Sequence, residues 1–167
     1  MSVLAEFLKE QGAKIRETAP ARQAERNEWL TAIHELLTTL GEWVTAVEGR
    51  DVLSVSRLGV TITEVRLGRY ETHRLRIELA GTGAFVEFVP VQRFAVGSVR
   101  PEGVIEHVPI TGLVSVSESG RPYQNLYRIG TGEAGRWYVS AGGWDGEGRH
   151  VPLTRERFES LLVYGLQ

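Results

Sequence analysis

The chain contains no cysteine. Disulfides, thiol nucleophiles and cysteine-ligated zinc or iron–sulfur sites are therefore excluded. Lysine is scarce too: of 19 basic residues, only Lys9 and Lys14 are lysines. We read this arginine bias as the composition of a GC-rich bacterial genome. There is no basic block. The 19 basic and 21 acidic residues are interspersed and leave a net charge of −2, so no strong attraction to nucleic acid or to an anionic membrane is expected. No apolar run approaches the roughly 20 residues that a membrane span requires. The first ten residues carry Glu6 within their apolar pattern, with no basic region before it, unlike a secretory signal. The expected location is the cytoplasm.

Catalytic signatures are also missing. There is no G-x-S-x-G, and no serine sits in a context that suggests a nucleophile. His34, His73, His107 and His150 have no second histidine at metal-ligand spacing. His34 and His73 read as structural histidines beside apolar faces, and His107 and His150 as surface loop or edge residues. No metal and no cofactor is expected. Gly130 to Gly135 matches G-x-G-x-x-G, but a dinucleotide fingerprint needs a helix after it. Here Arg136, Trp137, Tyr138 and Val139 follow as a strand, which makes the glycines a hairpin loop. Asp145 and Glu147 lie in a glycine-rich stretch that could bind a cation or act as acid and base. It lacks the further oxygen ligands of a calcium loop and reads as a solvated loop. Glu87, between Phe85 and Val89, would be costly if buried alone, and pairing with Arg74 or Arg76 is expected.

What is present begins with a helix. Over residues 21–48, Leu30, Ile33, Leu37, Leu40, Val44 and Val47 recur in steps of three and four, the spacing of one helical face. Trp29, Leu36 and Trp43 form a second line beside it. So wide an apolar face must be covered, either by the chain's own sheet or by another chain. Pro20 suits a first helical turn, and Gly49 a helix end. Before it, residues 2–18 read as a helix with Ser2 as its cap and Leu4, Phe7, Leu8, Gln11 and Ile15 along one side. Between the two, Ala19-Pro20 marks either a kink in one long helix or the corner of a helical hairpin.

From residue 52 the period changes to two. Runs at 52–56, 58–65, 72–79, 84–91, 93–99, 104–110, 113–117, 124–129 and 136–141 read as strands, punctuated by glycine and proline turns. In 72–79, His73, Leu75, Ile77 and Leu79 form the dry face. Thr154 opens a last helix with Phe158, Leu161 and Leu162 as its stripe. Seven or so strands in unbroken succession between helical ends give an α+β fold. It has an N-terminal helical arm or hairpin (1–49) and an antiparallel sheet of about seven strands, either a sandwich or a partly closed barrel. A C-terminal helix completes 50–167, and the whole is expected to be one unit. No motif points to a known family.

The functional expectation is a non-catalytic cytoplasmic interaction or adaptor module, with a protein partner or a second copy engaged through Trp29, Leu36 and Trp43. The alternative is a small-ligand-binding sheet domain. Its pocket would be lined by late aromatics and arginines, with Tyr127, Arg128, Trp137 and Trp144 as the candidates.

Overall fold

The Ser2 side chain accepts a hydrogen bond from the Ala5 amide at 3.2 Å and caps the first helix. Helix α1 then runs unbroken over Val3–Thr45. The computed structural model describes residues 2–94, 97–141 and 148–167. Of the two alternatives at Pro20, the helical hairpin is ruled out: the proline lies inside the helix. It leaves the Arg16 carbonyl without its usual donor. Nearby, the Thr18 hydroxyl donates to the Lys14 carbonyl at 2.9 Å and Arg22 donates to the Ile15 carbonyl at 3.1 Å. The helix ends at Thr45, three residues short of the expected end, and Gly49 takes a left-handed φ of 82° beyond it.

The strands follow as β1 (Leu53–Glu64), β2 (Gly68–Leu79), β3 (Phe85–Gln92), β4 (Ser98–Val99), β5 (Val108–Pro109), β6 (Gly112–Glu118), β7 (Arg121–Ile129), β8 (Arg136–Ser140) and β9 (His150–Pro152). Helix α2 (Arg155–Leu166) closes the chain. Seven strands form one antiparallel sheet in the order β1-β2-β3-β6-β7-β8-β9, and β4 and β5 pair separately. The fold is α+β, and the sheet is open. Two expected strands, 52–56 and 58–65, are the single strand β1, because Arg57 pairs through to Leu75 without interruption. The expected strand at 93–99 is reduced to β4, and part of it lies outside the described residues.

Period-two patterning explains the core. Val114, Leu126, Val139 and Val151 stand opposite one another across β6, β7, β8 and β9, and all four are buried. Leu75, Phe88 and Val116 form the next such row. Both helices pack on this face. From α1 come Trp29, Ala32, Ile33, Leu36, Leu37, Leu40 and Val44, and from α2 Phe158 and Leu162, in one cluster. Phe158 stacks between Trp43 and Phe88 with ring centroids 5.6 Å from each. The Thr154 side chain caps α2 through the Arg157 amide at 3.3 Å.

The expected dry face of β2 needs correction. Leu75 and Ile77 are buried, but His73 is exposed, and nearer the hairpin the buried residues are Tyr70 and Thr72. The parity changes where β2 stops pairing with β3, since that ladder covers only Leu75 to Glu78. Beyond it the β1–β2 ribbon follows α1, not the rest of the sheet.

One glycine sets how closely α1 approaches. A β-carbon at Gly112 would overlap the Trp29 ring, and Trp29 is fully buried. Replacing Gly112 by alanine should therefore cost about 1–3 kcal/mol through overpacking. Urea unfolding followed by tryptophan fluorescence measures this, and a wild-type midpoint would contradict it.

Candidate functional site

Burial divides α1 into two halves. From Trp29 onward its apolar face is covered by the sheet. Before it, Val3, Leu4, Phe7, Leu8 and Ile15 are 84%, 63%, 54%, 57% and 53% exposed. Of the partner-binding candidates Trp29, Leu36 and Trp43, the first two therefore require correction. Trp29 and Leu36 are buried in the chain's own core, and Trp43 packs on Phe158. The apolar area of Trp29 and Leu36 is already covered, so a partner would find it only by displacing the sheet, whereas Trp43 is partly buried at the margin of the core.

Where α1 meets the sheet, polar groups converge. The row Gly112, Arg128, Trp137 crosses β6, β7 and β8. Trp29 sits on Gly112, with its ring 6.1 Å from that of Trp137. Its neighbour Glu28 reaches Arg128 with an N–O distance of 2.6 Å and Arg93 at 3.5 Å. The Gly132 amide donates to the same carboxylate at 3.0 Å. Burial alone would raise the Glu28 pKa. The hydrogen bond from Arg128, the Gly132 amide and the two guanidinium charges outweigh it and hold the carboxyl below its ordinary value. Gly135 leaves room for the Arg128 guanidinium, which a β-carbon there would overlap.

A second polar chain lies alongside. Trp29 Nε1 donates to the Tyr70 hydroxyl at 2.9 Å, and that hydroxyl donates to Glu64. The other Glu64 oxygen accepts from the Arg93 and Phe94 amides at 2.8 and 3.1 Å. Burial, and then the Glu64 carboxylate, push the Tyr70 phenol well above its usual range.

Two of the four ligand-binding candidates share a cleft. Arg128 and Trp137 line a space of about 590 Å³ between α1 and β8, together with Leu36, Trp43 and Arg136. Tyr127 is adjacent to Arg128 in β7 and so points to the other side of the sheet, where its ring meets His150 edge-on at 4.9 Å. Trp144 lies outside the described residues, as do Asp145 and Glu147. A further cleft of about 620 Å³ runs between α2 and the sheet, lined by Tyr123, Ser140, Val151, Arg157 and Leu161 among others.

The remaining sequence candidates do not assemble. Glu87 pairs with Arg74 at 3.1 Å, as expected. The Gly130–Gly135 loop is the β7–β8 connection. His34 is exposed and 3.2 Å from Arg57, and His107 is exposed. His150 lies on the last strand of the sheet, an edge as expected, but it is not at the surface. It is 3% exposed on β9, where its amide donates to the Arg100 carbonyl and its carbonyl accepts from the Glu102 amide. Burial lowers its pKa, against a smaller opposing effect of the Arg100 carbonyl, and His107 lowers it further. Among the described residues no group of three or more acidic or histidine side chains is placed to hold a metal ion, and no helix is long and apolar enough to cross a membrane.

The comparisons add no relative. No protein-family model, curated protein or solved structure matches this chain.

Sequence reading missed Glu28, Arg93, Glu64 and Gly112. Glu28 carried one usable signal: a carboxylate directly before the first buried tryptophan of an apolar stripe. Gly112 carried none, because Trp29 lies far away in the chain, and Glu64 none, because its near partner Tyr70 stands across the β1–β2 turn and its others, the Arg93 and Phe94 amides, lie much farther on.

Glu28 makes stability pH-dependent in a defined direction. A carboxyl with a depressed folded pKa stabilises the fold fully above its unfolded value, near 4.5. That contribution is lost as the pH falls through the folded value. At pH 7, Glu28→Gln should cost about 2–3 kcal/mol, because it leaves two buried guanidinium groups without their counter-charge. Denaturant unfolding of both proteins between pH 7 and pH 3 checks this. The gap should narrow below pH ~4.5, and a constant gap would contradict the assignment.

Proposed function

We propose that this protein is a non-catalytic interaction module, an adaptor, that docks another polypeptide through the first half of α1. One observation carries the reading: Leu4, Phe7, Leu8 and Ile15 are each more than half exposed along one side of a helix that extends past its own sheet. Single exposed apolar residues are ordinary, but a contiguous stripe of them marks a contact surface. The helical geometry suits recognition through anchors at i, i+3, i+4 and i+7. The setting we propose, on the arginine-rich composition, is a bacterial cytoplasm.

Site-specific photo-crosslinking in cells tests the reading. A photoreactive amino acid at position 7 or 8 should yield a protein adduct, whereas one at the exposed His73 should not. Absence of adducts at both arm positions would remove the proposal.

A second reading is supported by the shared cleft of Arg128 and Trp137. Two tryptophans at one cleft suit a flat ligand by stacking, with Arg136 rather than the Glu28-paired Arg128 as the cation beside it. A thermal-shift screen with nucleotides, aromatic carboxylates and sugars tests it. A stabilising ligand should lose its effect in Trp137→Leu, normalised to that variant's own melting temperature. No shift with any of the three classes would sink this reading.

A further inference from the structure

We infer that the docking partner of the α1 arm is a second copy of this chain, with the two arms paired antiparallel. The inference rests on the interaction reading above and names its partner.

The arm stripe lies on the same helical face as the core stripe. Leu4, Leu8, Gln11 and Ile15 continue in steps of three and four through Thr18, Arg22 and Glu25 to Trp29, Ile33, Leu36 and Leu40. The sheet covers this face from Trp29 onward. A second arm laid on the exposed stretch thus meets the first copy's body at one end only. In a parallel pair both bodies would lie on the facing sides of adjacent helices, in the same space. In an antiparallel pair they lie at opposite ends.

The stripe matches itself in that orientation. Aligned about the point between Lys9 and Glu10, Leu4 of one copy stands level with Ile15 of the other, and Leu8 with Gln11. Ser2 of each then stands level with Glu17 of its partner. Seven residues, 18–24, about 12 Å of helix at 1.5 Å per residue, remain before the partner's Glu25, which its β1–β2 turn reaches through Arg66 at 3.3 Å. That clears the body. Ala5, Gly12 and Ala19 line one flank of the stripe and let the helices approach closely.

Charge and area favour a second copy over a lipid surface. Within residues 2–17, Lys9, Lys14 and Arg16 balance Glu6, Glu10 and Glu17. An amphipathic helix for anionic membranes carries excess basic charge. Five exposed apolar side chains per arm give a joint interface on the order of 1,000 Å², the lower limit for a specific complex. An interface of this size belongs to weak, concentration-dependent complexes.

The absence of native cysteine makes the geometry directly testable in the full chain. The single variants Leu4→Cys and Ile15→Cys should each form little disulfide alone, since like positions are displaced by about 16 Å along the axis. Mixed together and oxidised, they should form a covalent dimer. Analytical ultracentrifugation of the wild type should show the dimer, and Phe7→Glu with Leu8→Glu should abolish it while keeping the melting temperature that the wild type has at concentrations where it is monomeric. A wild-type monomer at every concentration, or disulfide in Leu4→Cys alone as efficient as in the mixture, would overturn the inference. Photo-crosslinked adducts heavier than this chain by anything other than a second copy would overturn it too, while leaving the interaction reading intact.

Discussion

The insertion of Trp29 between α1 and the sheet constrains nearly everything else. Its ring occupies the space that Gly112 leaves by lacking a side chain, and it is fully buried. A buried indole N–H needs an acceptor, which is supplied by Tyr70. Tyr70 in turn needs Glu64, and Glu64 holds the two amides at Arg93 and Phe94. One apolar contact thus fixes the tip of the β1–β2 ribbon and the end of β3 relative to the helix. Glu28, one residue earlier, adds Arg93, Arg128 and the β7–β8 turn. These polar contacts select one position for the helix. Burial of Trp29, Ile33, Leu37 and Leu40, at roughly 1.5–3 kcal/mol for each large side chain, supplies the driving force.

This arrangement also accounts for a helix longer than its sheet. Nucleating a helix is unfavourable, but extending one already formed adds a hydrogen bond for each residue fixed. The packed half from Trp29 to Val44 serves as the nucleus, and the arm extends it toward the N-terminus as far as the Ser2 cap. Pro20 works against this at about 3 kcal/mol. The helix nevertheless runs on past it, and just before it the Lys14 and Ile15 carbonyls take side-chain donors. The arm retains an apolar stripe that the fold itself leaves exposed.

Much of the architecture was legible because it rests on local periodicity. Steps of three and four marked the buried face of α1, Thr154 marked the start of α2, and the strand after Gly135 disposed of the nucleotide motif. The failures fall where a residue's environment is set by distant segments. His73 shares its alternation with Leu75, yet β2 leaves β3 between them and the parity of burial is lost. His150 looked like a surface residue, yet residues 100–102 lie along β9 beside it and Tyr127 meets its ring. The late aromatics looked like one cluster. Alternation instead sends Trp137 toward α1 and Tyr127 to the opposite face, while Tyr123 joins Tyr164 of α2.

The tryptophans misled for a more general reason. Types enriched at interfaces are also the types that bury best within one chain, so composition cannot separate the two uses on a single helix. Position along the helix can. A face is core wherever its own sheet reaches, and Trp29 marks that limit. The same helical phase continues beyond it through Arg22 and Thr18, polar side chains that suit solvent, and turns apolar again at Ile15, Gln11 excepted, as far as Leu4. A stripe that served the core alone would have no physical reason to become apolar again past a polar interval. Apolar, then polar, then apolar on one face leaves two apolar segments, of which the described residues cover only the second.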